Sequence, residues 1–114
     1  MKDFILIFRQ ASYDHTNTST DETDTLNKKW NDWIGGIAAQ GKFKSHGARL
    51  DTSGKVLKPG GVVTDGPFVE IRERLGGFIV VSADSLEEAT TLAHGCPALD
   101  AQGSVEIRPI LVYK

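Results

Sequence analysis

His46, Arg49 and Asp65 are the residues of this chain whose types and spacing best suit work on an acidic or anionic group. His46 and Arg49 lie three apart in "FKSHGARL" (43–50), and Asp65 follows "GGVVT" (60–64). On neighbouring strands the three would converge. Arg49 would then grip a carboxylate or phosphate through its planar fork, with Asp65 orienting His46 as a base. The competing reading is a solvated strand face that carries one histidine, because no motif fixes the geometry. Trp30 and Trp33 offer an aromatic wall for a planar ligand, although aromatics at helical spacing also serve as core. His94 and Cys96 have no second pair at ligand spacing, so no metal site is expected. Cys96 reads as a small buried hydrophobe. "EIRER" (70–74) reads as a solvated charged face, and the Gly-Gly pairs at 60–61 and 76–77 lack the Lys-Ser/Thr of a phosphate loop. No cofactor is implied.

The most unusual phrase is "VTDGPF" (63–68). Asp65 can accept a hydrogen bond from a backbone N–H two residues on, and Pro67 fixes φ and removes a donor. Gly66 tolerates the angles that a following proline requires, while Phe68 can anchor the turn by burying its ring. Turn architecture accounts for all four residues. A ligand or proton-transfer role for Asp65 is the alternative.

The elements that would position these residues follow from periodicity. "DFILIF" (3–8) is an apolar run of strand character, buried on both faces. Ser19 and Glu22 have capping-box spacing, so a helix is expected from about residue 20, with Gly41 as its stop. Its apolar stripe is Leu26, Trp30, Trp33, Ile34, Ile37 and Ala38. Gly35 and Gly36 interrupt this helix, and either close approach to a neighbouring backbone or a kink would explain them. Residues 43–50 and "KVL" (55–57) flank "DTSG", which suggests a hairpin or a strand with a solvent-exposed excursion. "GGFIVVSA" (76–83) is a further strand. Ser85 and Glu88 repeat the capping spacing before a helix with Leu86, Ala89 and Ala93 inward, ended by Gly95 and Pro97. In "SVEIRPILVY" (104–113), Pro109 demands an edge strand or a bulge.

The order β, α, hairpin region, β, α, β fits an α+β fold. It implies a ferredoxin-like βαββαβ antiparallel sheet with two helices on one face. "FILIF" and "FIVV" are apolar on both faces, yet helices on one side cover only one. A second copy of the sheet is the simplest cover, so a two-fold homodimer is expected.

At 114 residues the chain is read as a single domain, 1–114. Its 39% hydrophobic and 25% charged content is that of a globular protein, and a net charge of −2 provides no basic footprint for direct nucleic-acid binding. Residues 4–8 form too short an apolar run for a signal-peptide core, and no stretch suits a membrane span. One cysteine excludes an internal disulfide, so a cytoplasmic protein is expected.

The set "WNDWIGGIAAQGKF", "VTDGPF", "GGFIVVSADSLEEA", "GCPAL" and "GSVEIRPI" resembles the DGPF branch of the YCII-related proteins, over nearly the whole chain from residue 26. The resemblance implies a dimeric ferredoxin-like α/β barrel. Related YCII-like proteins are thought to use a His–Asp pair, and one branch removes chloride from a chlorinated hydroxyquinol. Some DGPF proteins are encoded with, or fused to, extracytoplasmic-function sigma factors. Aligned on "QGKF", the helix-borne His position falls on Trp30, and the Asp before a proline falls on Cys96. Indole is only a donor and a thiol needs a lowered pKa to act, so the dehalogenase-like mechanism does not transfer. Two functions remain from sequence. One is a small-molecule-binding protein or minor enzyme with a pocket between sheet and helix, using Asp65, His46, Arg49 and Trp30. The other is a noncatalytic dimeric regulatory module acting with a sigma factor or another transcription partner.

Overall fold

The computed structural model describes residues 1–9, 20–50, 53–65, 75–100 and 103–112, with backbone alone at 20–23 and 65. The Ser19–Glu22 cap, Gly66 to Phe68 of the motif, and the charged run at 70–74 lie outside the described residues and side chains.

The fold is α+β. Four strands form one antiparallel sheet in the order β2-β5-β1-β6, made of β1 (Lys2–Arg9), β2 (Phe43–Arg49), β5 (Leu75–Ala83) and β6 (Ser104–Pro109). The helices are α1 (Thr20–Ala39), α2 (Leu86–Ala93) and a short α3 (Pro97–Asp100), which the sequence reading took only as a stop. A second sheet is the hairpin of β3 (Lys55–Lys58) and β4 (Val62–Asp65).

Alternation decides the core. Phe4, Leu6 and Phe8 of β1 and Ile79, Val81 and Ala83 of β5 point to one face and are buried with Ile37, Ala89, Leu92, Ala93, Cys96 and Ala98. The alternate residues Ile5, Ile7, Phe78 and Val80 face the other way and are only half-buried, outside that cluster. Among the described residues β6 pairs only with β1, so Pro109 sits on an edge strand, where its missing donor is tolerated.

Local signals hold at the helix ends. Ser85 Oγ accepts from the Glu88 N–H at 3.1 Å, capping α2. At the end of α1, Gly41 N–H donates to the Ala38 carbonyl and Lys42 N–H to the Ile37 carbonyl, the double bond of a Schellman stop.

Several expectations are corrected. β2 does not form a hairpin with residues 55–57. It pairs with β5, while 55–58 pairs with 62–65 across a turn of Pro59, Gly60 and Gly61. A three-residue turn with two glycines at positive φ closes more readily than one across "DTSG". Gly35 and Gly36 make no close approach, since a Cβ at either would meet nothing within 4 Å. Ala38 and Leu86 are exposed, and Leu92 takes the buried place on α2.

Candidate functional site

α1 reaches over the β2–β5 edge of the sheet without filling the space beneath it. Ile37 is fully packed, whereas Leu26, Trp30 and Ile34 on the same stripe are half-buried. Those three line a cavity of about 480 Å³ whose other walls come from Phe8, from residues 46–49 of β2 and from residues 76–79 of β5. That volume lies within the usual ~300–1,000 Å³ of small-molecule sites.

The β2 wall depends on irregular pairing. Phe43 opposes Val81 and Ser45 opposes Val80, but the next partners are Ala48 with Phe78 and Arg49 with Gly77. Two residues, His46 and Gly47, therefore stand against the single Ile79, which is a β-bulge. Gly47 has φ +59°, and its N–H donates to Ser45 Oγ at 3.1 Å. After the bulge Arg49 opposes Gly77, on the face that carries the helices. Gly77 itself is needed for close approach, since a Cβ there would lie 2.6 Å from the Ala48 carbonyl oxygen. Strand, bulge and paired glycines thus place His46 and Arg49 at a wall without bulk opposite them.

The two tryptophans separate by role. Trp33 Nε1 donates to the Leu92 carbonyl at 3.0 Å and ties α1 to α2, a structural use. Trp30 stands edge-on to Phe8 at 4.9 Å and to Trp33 at 5.7 Å, and its N–H has no partner among the described residues. The His46 ring rests edge-on against Phe43 at 4.8 Å. Asn27 and Asn31, one turn apart on α1 beside Trp30, also line the cavity. Sequence reasoning missed both. Their i, i+4 spacing around Trp30 on the apolar stripe was the available signal.

Of the sequence candidates, Trp30, His46 and Arg49 share this cavity, and the Asp65 side chain lies outside those described. The neighbouring-strand arrangement of Asp65 with His46 and Arg49 is corrected. β4 pairs with β3, where Asp65 opposes Lys55, and not with β2. The reason is local: the Pro-Gly-Gly turn makes β3 the nearest partner for β4.

Cys96 lies away from the cavity lining and is 1% exposed. Burial pushes its thiol up to about 12, the opposite of what a nucleophile requires. His94 is exposed at the end of α2, and no group of three His, Cys, Asp or Glu gathers among the described residues. No described helix is long and apolar enough to cross a membrane.

The arrangement can hold a small molecule against an aromatic face, with a guanidinium, an imidazole and an indole N–H as polar contacts. Among curated proteins, an uncharacterized protein of Rhizobium meliloti (strain 1021) is 43% identical over 54 residues. The match covers 46% of this chain and 44% of that protein, so the chain spans less than half of the relative's length. The model of the YCII-related domain matches residues 4–114, and the chain belongs to that family.

Proposed function

We propose that this protein binds a small molecule in the cavity between α1 and the β2–β5 edge. The observation that carries the reading is the convergence of Trp30, His46 and Arg49 on one concavity of about 480 Å³, held by a bulge and a glycine-lined wall. Bulges next to a concave site commonly re-aim side chains toward a ligand. Asp65 is included on the strength of its motif alone, and the same motif supports placement in the DGPF branch.

The proposed assembly is a single ferredoxin-like domain paired as a two-fold dimeric barrel. The strand order β2-β5-β1-β6 and the half-buried face of Ile5, Ile7, Phe78 and Val80 support it. A cytoplasmic location is proposed from the single cysteine.

The test is a fragment titration followed by backbone amide and indole resonances. Hits are expected to move the Trp30 indole N–H together with amides of residues 46–49 and 76–79. Hits that leave all of these still, or a library without a hit, would refute the reading.

A second reading, the noncatalytic regulatory module, draws on the β3–β4 hairpin. Leu57 and Val63 face each other across its strands and are 72% and 55% exposed. If this pair docks a transcription partner such as a sigma factor, Leu57→Lys with Val63→Lys should abolish co-purification of that factor and spare ligand binding. Unchanged co-purification would remove this reading.

A further inference from the structure

Among the described residues, the lining of the cavity carries one sign of charge. Its ionisable lining residues are His46 and Arg49, and neither Asp nor Glu lines it among the described residues. Among the described residues the other arginines, Arg9 and Arg108, lie 3.4 and 3.8 Å from the Glu106 carboxylate. Arg49 has no hydrogen-bond or ion-pair partner among the described residues. An arginine without a counter-charge at the wall of an apolar concavity is a ready site for an anion, and its planar fork matches a carboxylate in two parallel bonds.

The opposite wall is flat and aromatic. Trp30 is held edge-on by Phe8 and Trp33, at interplanar angles of 71° and 73°. Its N–H is a donor without an acceptor among the described residues. The floor is low because Gly76 and Gly77 contribute no side chains. A slot between an indole and a glycine floor favours a planar body over a bulky one.

We propose that the ligand is an aromatic carboxylate, its ring against Trp30 and its carboxylate on Arg49. This rests on the small-molecule reading above and adds the chemical class. Asn27 and Asn31, each carrying a donor and an acceptor, meet the ring's polar substituents. One guanidinium suits a carboxylate better than a phosphate, which usually recruits a nest of backbone N–H groups or a helix N-terminus.

Three probes test it by calorimetry: 2-naphthoate, the neutral and nearly isosteric 2-naphthamide, and the anionic but non-planar cyclohexanecarboxylate. A charge-assisted bond implies that naphthoate binds at least about tenfold tighter than the amide. Cyclohexanecarboxylate should bind more weakly than naphthoate by a similar factor. Arg49→Gln should bring the acid-to-amide ratio to within about threefold while leaving the melting temperature unchanged. Equal binding of acid and amide, or a ratio that survives Arg49→Gln, would overturn the carboxylate assignment and leave the cavity reading standing. If none of the three binds or moves the Trp30 indole resonance, both are overturned.

Discussion

Replacing Gly47 by alanine puts the bulge of β2 under two separate strains. The residue sits at φ +59°, where an L side chain costs roughly 1–2 kcal/mol. The added Cβ would also lie 2.1 Å from the Phe78 carbonyl oxygen, 2.7 Å from a ring carbon and 2.8 Å from the carbonyl carbon. Restoring even a 3.0 Å contact to that oxygen requires about 0.9 Å of movement between β2 and β5. Two of the three clashing atoms are backbone, so no rotamer change relieves them. Adding the clash to the dihedral cost gives a destabilisation above about 2 kcal/mol, within the range of other backbone-strain substitutions. At roughly 4 °C per kcal/mol for a chain of this length, the melting temperature should fall by about 8 °C or more. Gly36→Ala is the matched control. Its Cβ meets nothing within 4 Å, and its helical position should gain up to about 1 kcal/mol. Urea denaturation followed by circular dichroism reads both, and ligand titration of Gly47→Ala should show weakened binding because His46 and Arg49 flank the displaced residue. A Gly47→Ala protein within 0.5 kcal/mol of wild type, with binding intact, would refute the assignment of this bulge as the element that shapes the cavity wall.

Two further outcomes follow from buried or paired groups. Cys96 should resist iodoacetamide in the native protein at pH 8 and react once unfolded; rapid native labelling would contradict its burial. Its folded pKa is raised to about 12 by desolvation, so its contribution to stability is complete below the unfolded value of about 8.5 and falls as pH rises between the two. The difference in stability between wild type and Cys96→Ala should therefore shrink with pH in that window, by at most about 1.4 kcal/mol per unit, and a constant difference would refute it. Glu88 Oε1 forms an ion pair with Lys42 Nζ at 2.7 Å, and this pairing lowers its pKa against the opposing effect of burial. A lowered carboxylate contributes stability above its unfolded value of about 4.3 and loses it as pH falls through the folded one. Acid unfolding of wild type and Glu88→Gln should therefore converge at low pH, and parallel curves down to pH 2 would argue against the pairing.

Much of the fold was legible because its signals are local. The apolar alternation of Phe4, Leu6 and Phe8 states which face of β1 is buried, whatever lies opposite. Ser85 caps α2 through an N–H three residues away, and Gly41 ends α1 through carbonyls three residues back from itself and five back from its neighbour Lys42. Pro109 excluded a central strand by lacking a donor. The half-buried face of Ile5 and Ile7 was likewise implied by two apolar faces on a strand with helices on one side only.

Strand partners were not legible, since pairing is a choice among distant segments. β2 could have turned back on residues 55–57, yet its ladder forms with β5, far along the chain. Only that pairing creates the bulge at His46 and Gly47, sets Arg49 against Gly77, and leaves Asp65 on a separate hairpin. The tryptophans show the same division. Helical spacing placed both on one stripe, but only packing against α2 gives Trp33 the Leu92 carbonyl and leaves Trp30 facing open space. Sequence determined which residues have an apolar or polar side to present, because that depends on neighbours a few bonds away. The tertiary structure decided which of them meet, because a cavity is the volume left where long-range packing of a helix on a sheet is incomplete.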